Sequence, residues 1–449
     1  MEKGEWMPWI VGWFLNLVYA GLLLAVSPVL LYRRVRHGKY RGGWREKLTG
    51  AVARQFPDRR CLWFHAVSVG EVLQLQKILD ETGSRFPDAE LFITTTTDTG
   101  FEVARTKYPQ HTVSYFPLDF TWGVARALKA IRPDLVVLVE LELWPNFIFE
   151  CQRKRIPLAL INGRIGEKSF RGYARVKPLM RRVLSCFQVL ATQNETYAKR
   201  LKDLGAPSER LTVTGNIKFD RVESDRSNPK TAELRRAFAI QPDEQVLIAG
   251  STQSPEEMVA LDAWRLLRKD FPRLRLILVP RHKERFDEVA ELVHQRGAPL
   301  FRRSQSASGL SAVAPSAIPP VLLLDTLGEL AACWGLADFA FVGGSLTNRG
   351  GQNMLEPAGY GAAVLFGPNT WNFKEITEAL LSRQAARVIR DADELLQTLR
   401  DLLKHPEQAA QMGSVARQFV SQQQGATVRT VEQIAMLIPA SAIASHRAA

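Results

Sequence analysis

Cysteine is scarce in this chain. The four present, Cys61, Cys151, Cys186 and Cys333, stand far apart and never as C-x-x-C. That spacing excludes a disulfide framework and a paired-cysteine zinc site, and it favours a reducing compartment. Nucleic-acid signatures are missing as well: no folded basic face with interleaved base-stacking aromatics is apparent, so no nucleic-acid partner is expected. Nor is the composition that of a disordered chain, with 46% apolar and 23% charged residues. At 449 residues the chain exceeds one ordinary core, which implies two large domains with extras.

What the chain does have is an uneven positive charge. Ten Lys and Arg residues (Arg33, Arg34, Arg36, Lys39, Arg41, Arg45, Lys47, Arg54, Arg59 and Arg60) stand against Glu46 and Asp58, so eight of the thirteen excess charges fall within residues 33–60. Just before this run, Trp9 to Leu31 is uncharged, and as a helix its 23 residues would span ~34 Å. That is enough to cross a hydrocarbon layer of about 30 Å. Trp6, Trp9 and Trp13 at one end and Tyr32 at the other fit interfacial belts, and the cations on the carboxyl side place the rest of the chain in the cytoplasm. The rivals to a spanning anchor are a cleaved signal peptide, a helix lying in the interface and a hydrophobic helix docked on the body. The cations follow the apolar run instead of preceding it, which counts against the signal peptide. Gly12, Gly21 and Pro28 can break a helix, which keeps the interfacial reading open.

From Cys61 onward, short apolar runs alternate with amphipathic ones. CLWFHAV, ELFITTTT, DLVVLVE, IPLALIN and FQVLAT read as strands, and helical periodicity at 71–81 and 122–131 argues βαβ units on a parallel sheet. Ligands on such sheets bind beyond the carboxyl ends of the strands. HAVSVGEV, residues 65–72, places Glu71 at a helix start, where the dipole favours the charged carboxylate and suits a general base. S-x-x-E is equally the signature of a capping box with Ser68. In ELELWPN, residues 140–146, Glu140 and Glu142 share one parity on an extended chain and face a polar ligand, or else a salt bridge to the basic helix near 171–182. Lys218 of TGNIKFD is either a point charge for a leaving phosphate or a solvated lysine.

Asp220 to Lys230 reads as an interdomain connection. Strands resume with QVLIAGS, LRLILVP, VLLLD, DFAFV and AVLFG. VPRHKERF puts Arg281 and His282 at a strand end, and guanidinium meets phosphate well there. LDTLGEL opens a helix with Gly328 and Glu329, and AGSTQSPEE gives a small-residue turn before an acidic helix start. Residues 341–358, FVGGSLTNRGGQNMLEPA, combine two glycine pairs with Asn353 as a cap and Glu356 in the first turn of a helix. Such a helix start suits a phosphate, and Glu356 a pair of ribose hydroxyls; the alternative is a glycine-rich connection without a ligand. Residues 303–320, rich in Ser, Ala and Pro, read as a mobile surface insertion, and the last residues as a frayed end.

Taken together, SVGE, TTTTDTG, ELWPN, TGNIKFD, AGST, PRHKERF, DTLGEL, GGSL and GGQNMLEPA resemble, in order, the motifs of the Kdo transferases. These are membrane-associated glycosyltransferases that add 3-deoxy-manno-octulosonic acid to lipid A precursors in lipopolysaccharide biosynthesis. The resemblance runs from the anchor to about residue 425. It implies an α/β fold of two Rossmann-like domains, the glycosyltransferase B architecture, behind an amino-terminal membrane-anchor helix. The implied division is residues 1–40 as anchor and basic segment, 41–225 as the acceptor domain, 226–425 as the CMP-sugar domain and 426–449 as a tail. By motif match, Glu71 is the implied catalytic base, and Glu140 and Lys218 stabilise the transition state. CMP contacts carry over to Pro280, Arg281, Leu327, Gly328, Glu329, Asn353, Met354, Leu355 and Glu356. The implied partners are CMP-Kdo, a lipid A precursor such as lipid IVA, and membrane lipid, at the cytoplasmic face of the inner membrane. No D-x-D-like acid pair is placed beside a donor that lacks a diphosphate, so neither metal nor cofactor is expected. Three departures stand out: Gln352 where the family usually has His, Met354 for a usual Pro, and NGRIGEKSF for the commoner NARLSERSF. A UDP-sugar transferase or epimerase of the same fold, and a membrane-tethered nucleotide-sugar binding protein without turnover, are the competing readings.

Overall fold

The computed structural model describes residues 8–37, 42–307 and 319–438. Trp6 of the expected aromatic belt, Lys39 and Arg41 of the basic run, residues 308–318 of the Ser/Ala/Pro-rich segment and residues 439–449, expected to be frayed, lie outside the described residues. The chain divides into two compact units, Met1–Arg221 with Gln424–Ala449, and Val222–Gln423.

The strands of the first unit are β1 Arg60–His65, β2 Ala89–Thr95, β3 Thr112–Tyr115, β4 Leu135–Val139, β5 Leu158–Gly163, β6 Val189–Thr192 and β7 Leu211–Val213. Among the described residues they form one parallel sheet in the order β3-β2-β1-β4-β5-β6-β7. A parallel sheet is covered on both faces, which is why its central strands are apolar at successive positions. Cys61 and Trp63 point into one core with Phe147 and Leu184, while Leu62 and Phe64 point into another with Leu75 and Ile78. The helix Val69–Arg85 buries Val72, Leu75, Ile78 and Leu79, an i, i+3, i+6, i+7 stripe facing that second core.

The first unit also holds the segment expected as a tail. Residues 426–435 form a helix, Ala426–Ala435, and Ala426, Val431, Ile434 and Ile438 join the core beside Val72 and Leu75. The physical reason is helical spacing of apolar residues, together with a cap supplied from far away in sequence. The buried Asp220 carboxylate accepts the Gly425 N–H at 2.6 Å and the Thr427 N–H. The expected connection at 220–230 therefore begins inside the first unit. It ends at Asn228, whose Oδ1 accepts the Thr231 N–H at 3.0 Å and caps the helix Pro229–Ala237.

The amino-terminal helix runs unbroken over Pro8–His37, through Gly12, Gly21 and Pro28. Pro28 leaves the Leu24 carbonyl without its helical donor, and the Ser27 hydroxyl donates to that carbonyl at 2.8 Å instead. Its window Gly12–Val29, with mean hydropathy 1.6, is long and apolar enough to cross a membrane.

The second unit is built from β8 Gln245–Thr252, β9 Leu274–Pro280, β10 Leu300–Arg302, β11 Val321–Leu323, β12 Phe339–Val342, β13 Ala363–Phe366 and β14 Ala386–Val388. Among the described residues these make a second parallel sheet, in the order β10-β11-β9-β8-β12-β13-β14. Leu247, Leu276, Phe339 and Trp264 anchor its core. In both sheets the first strand is where the winding reverses: β1 lies between β2 and β4, and β8 between β9 and β12. The crevice beyond the carboxyl end of such a strand is where open α/β sheets bind ligands.

Candidate active site

In the first unit, β1 leads through Val67 and Ser68 into the helix Val69–Arg85. Glu71, 9% exposed, accepts the Ser68 hydroxyl on Oε1 at 2.7 Å and the Val67 N–H on Oε2 at 2.9 Å, while its own N–H donates to Ser68 Oγ at 3.3 Å. Ser68 caps the helix, Glu71 reaches back to the Ser68 hydroxyl and to the Val67 N–H instead of the Ser68 N–H of a full capping box, and these bonds hold the carboxylate in one orientation at the switch point. Cap and proton acceptor are compatible roles here.

Across the switch point, the chain leaves β4 through Glu140, which adopts φ 60° and donates its N–H to Ile161 O at 2.9 Å. A left-handed glutamate interrupts the extended alternation, so parity does not govern the side chains beyond it. Both carboxyls nevertheless come within electrostatic reach of Glu71. Burial and then the Glu71 charge push Glu140 above the usual carboxylate range, against the pull of Lys218 and Arg164 and a hydrogen bond with Gln74. Burial and Glu71 push Glu142 up to about 7, against the indole N–H of Trp144, which donates to it at 3.0 Å. The alternative of a salt bridge to the helix near 171–182 is not what balances these acids: Arg171 pairs with Glu167 at 2.9 Å, and the cations acting on Glu140 are Lys218 and Arg164.

Lys218 is half-buried, and a line of side-chain amides sets its place. Asn162 Nδ2 donates to Gln74 at 3.0 Å, and Gln193 Nε2 to the Asn162 carbonyl at 3.0 Å. Asn216 Nδ2 donates to Gln193 at 3.0 Å, and the Lys218 N–H to Asn216 Oδ1 at 3.0 Å. Asn162, at φ 53°, also accepts the Ile217 N–H at 3.3 Å. Gln74, Asn162, Gln193 and Asn216 were not among the expected site residues. The legible signal was that Asn162 stands near the carboxyl end of a strand, Gln193 and Asn216 follow strands, and Gln74 lies on the second turn of a helix that follows one.

In the second unit the glycine pair Gly343–Gly344 follows β12, as expected, but its N–H groups are already taken. Glu256, fully buried at the start of the helix Glu256–Leu267, accepts Gly344 N at 2.7 Å and Gln253 N at 2.9 Å on Oε2, and Ser345 N and Leu346 N, each at 2.9 Å, on Oε1. A protein carboxylate takes the backbone N–H groups at this glycine turn. Gly343 has to be glycine there, because a Cβ would lie 2.5 Å from Thr252 Cα and 2.7 Å from Ser251 O. Gly344, at φ 66°, turns the loop toward Glu256.

The remaining expected residues of this unit fall at strand ends. Pro280 pairs with Thr252 of β8, and the Arg281 N–H donates to Thr252 O at 3.0 Å with its side chain exposed beside an exposed His282. Asn353 Oδ1 accepts the Leu355 N–H at 3.1 Å and its Nδ2 donates to Glu356 at 2.9 Å, but the residue at the cap position of the short helix Leu355–Gly359 is Met354, so Asn353 makes a turn just ahead of the helix and is not its cap. Met354 and Leu355 point into the core, which leaves only their backbone groups for a ligand. Leu327 is exposed, Gly328 turns at φ 82°, and Glu329 is held by Arg303 at 2.8 Å and by the Thr326 hydroxyl. Arg303 opens the segment expected to be a mobile insertion. It is buried and also pairs with Glu233 at 2.5 Å, so the segment begins as fixed structure. No group of three or more His, Cys, Asp or Glu side chains suited to a metal ion occurs among the described residues.

Known proteins resemble this chain in family and fold. The family model described as 3-deoxy-D-manno-octulosonic-acid transferase (kdotransferase) matches residues 42–221, the body of the first unit. A 3-deoxy-D-manno-octulosonic acid transferase of Haemophilus influenzae is 32% identical over 92% of this chain and 96% of its own length. Its counterpart in Bordetella pertussis is 31% identical over 93% of this chain and 98% of its own. Among solved structures, UDP-GlcNAc 2-epimerase from Neisseria meningitidis bound to UDP-GlcNAc covers 84% of this chain and all of its own with a TM-score of 0.56. At 14% identity that likeness speaks for the fold alone, the two-domain glycosyltransferase B architecture. Two doubly wound units, acids gathered at the switch point of the first and full-length similarity to these transferases lead to one conclusion: the chain belongs to the Kdo transferase family of glycosyltransferases.

Proposed function

We propose that this enzyme moves Kdo from CMP-Kdo to a lipid A precursor, lipid IVA, with inversion at the anomeric carbon and with Glu71 as the general base. The observation that carries the proposal is the gathering of Glu71, Glu140 and Glu142 with Lys218 and Arg164 at the switch point of the first unit. Glu71 takes the proton of a glucosamine hydroxyl as that oxygen bonds to the anomeric carbon. The bond from that carbon to the phosphate oxygen breaks, and CMP departs with the electron pair. Lys218 offers positive charge to the transition state, and Glu140 steadies Lys218. The donor is assigned to the strand ends of the second unit, through Pro280, Arg281, Gly328, Glu329, Asn353 and Glu356 with the backbone at Leu327, Met354 and Leu355. No metal or cofactor takes part in this reading. We place the enzyme on the cytoplasmic face of the inner membrane, where the cations of residues 33–60 favour anionic lipid.

The test incubates purified protein with CMP-Kdo and a tetra-acylated lipid A precursor and follows product mass. Addition of Kdo mass units, competed by CMP and not by UDP, is the expected result. Competition by UDP, or binding of the donor without any mass gain, overturns the assignment.

A further inference from the structure

We propose that the amino-terminal helix does not cross the bilayer but lies along its surface as a fixed part of the first unit, with its outward apolar face in the lipid. The proposal rests on the membrane attachment proposed above and specifies its form.

Asn16, in the middle of the apolar run, is only 4% exposed. Its Oδ1 accepts the Thr121 N–H at 3.1 Å and Asn146 Nδ2 at 3.3 Å, and its Nδ2 donates to Thr121 Oγ1 at 2.8 Å. One turn on, the Tyr19 hydroxyl donates to Asp119 Oδ2 at 3.0 Å. The partners are helix starts that have no cap of their own. The helix Thr121–Ile131 follows Phe120, and the helix Pro145–Arg153 follows Trp144; neither residue offers a capping side chain. Asn16 caps the first. Asp119 caps the second by accepting Asn146 N at 3.0 Å and Phe147 N at 2.8 Å. Gly12 lets the helix approach this closely, since a Cβ there would lie 3.0 Å from Thr121 Cγ2 and 3.3 Å from Asn146 Oδ1. Gly12, Asn16, Tyr19 and Leu23 thus form a stripe at i, i+4, i+7 and i+11 that is buried at Gly12 and Asn16 and half-buried at Tyr19 and Leu23.

The other side of the helix is exposed among the described residues. Phe14, Leu17, Leu24, Leu31 and Val35 are among its exposed apolar residues, Leu17 and Leu24 at 72% and 73%. Trp122, stacked on Phe120 with ring centroids 4.7 Å apart, extends this exposed surface onto the body. The face carries no charge until Arg33, Arg34 and Arg36, where a headgroup layer would meet it, so a lipid surface is the occupant that fits.

Chain direction argues against crossing. With the cations on the cytoplasmic side, a spanning helix would carry Asn16 about 25 Å away from Arg33, at ~1.5 Å per residue, toward the far leaflet. The body that resumes at Trp44, just past those cations, is the same body that holds Asn16. Crossing would have to break every bond to Thr121, Asn146 and Asp119, or draw those polar groups into hydrocarbon.

Two independent readings on the full-length protein in native membranes test this. Glu5→Cys and, as a body marker, Lys202→Cys are treated with a membrane-impermeant maleimide in spheroplasts and in inverted vesicles; the four native cysteines are buried. The proposal expects both positions to label only after inversion. Label on Glu5→Cys from outside, with Lys202→Cys still protected, overturns the surface helix and leaves the functional reading intact. Label on Lys202→Cys from outside overturns the cytoplasmic placement itself. In the second reading, the pair Gly12→Cys and Thr121→Cys is oxidised in membranes that retain transferase activity. A cross-linked band supports the docked helix, also where Glu5→Cys resists label on both sides, and its absence overturns it.

Discussion

Replacing Glu256 by Gln is the perturbation whose size the structure defines best. Each carboxylate oxygen accepts two backbone N–H groups, from Gly344 and Gln253 on one side and from Ser345 and Leu346 on the other, in a site closed to water. A glutamine amide keeps one acceptor oxygen and turns an NH2 toward the other two donors. Two bonds to a charged acceptor are lost, at about 1.5–3 kcal/mol each, so the second unit should lose ~3–6 kcal/mol of stability. That is a large share of the roughly 5–15 kcal/mol that holds an ordinary domain together. Urea unfolding of the full-length protein, followed by the fluorescence of the buried Trp264 and Trp334, reads the loss as a shifted second-unit transition. Because the GGSL loop loses its fixed shape, CMP binding should weaken in parallel at urea concentrations below the transition. A shift under ~1 kcal/mol with unchanged CMP affinity would refute the claim that Glu256 builds this loop.

Glu142→Gln should raise stability above pH 7 and change nothing below about pH 4.5. The folded carboxyl keeps its proton up to about 7 while the unfolded one loses it near 4.5. The group's contribution is therefore complete at low pH and lost as pH rises through 7. Comparing melting temperatures of variant and wild type across this range should show a difference worth at most about 3 kcal/mol. Asn162→Ala removes the bonds to Gln74 and Ile217 N and lets Lys218 drift; kcat should fall about tenfold or more with the donor KM little changed, as steady-state kinetics would show. Deleting residues 424–449 exposes the core that Val431, Ile434 and Ile438 cover, which should cost the first unit more than about 4 kcal/mol in chemical unfolding.

The five central strand candidates of each half were legible because buried parallel strands are apolar at successive positions. The strands that went unread are β3 and β7, the edges of the first sheet, and β10 and β14, the edges of the second. They are three or four residues long and only half-buried, so their sequence carries little contrast. Glu71 was legible as both cap and base because a helix start after a strand places a carboxylate at the crevice in either role. Its partners were less so. Lys218 owes its place to four amides 142 residues apart along the chain from Gln74 to Asn216, and no local pattern marks that line. Glu256 looked like an ordinary first-turn acid; only the fold brings it against a loop nearly ninety residues on. The final helix was mistaken for a tail because its cap, Asp220, lies more than 200 residues earlier.

The most direct test of the central claim is the single-turnover rate of Kdo transfer by Glu71→Gln. Glutamine keeps the Ser68 cap on its own N–H and an acceptor oxygen for the Val67 N–H, so the fold and the affinity for CMP should stay as in the wild type. Transfer should nevertheless fall by about 10²–10⁴, the usual contribution of a positioned general base. A variant that folds, binds CMP and transfers Kdo within roughly threefold of the wild-type rate would show that Glu71 is only a cap.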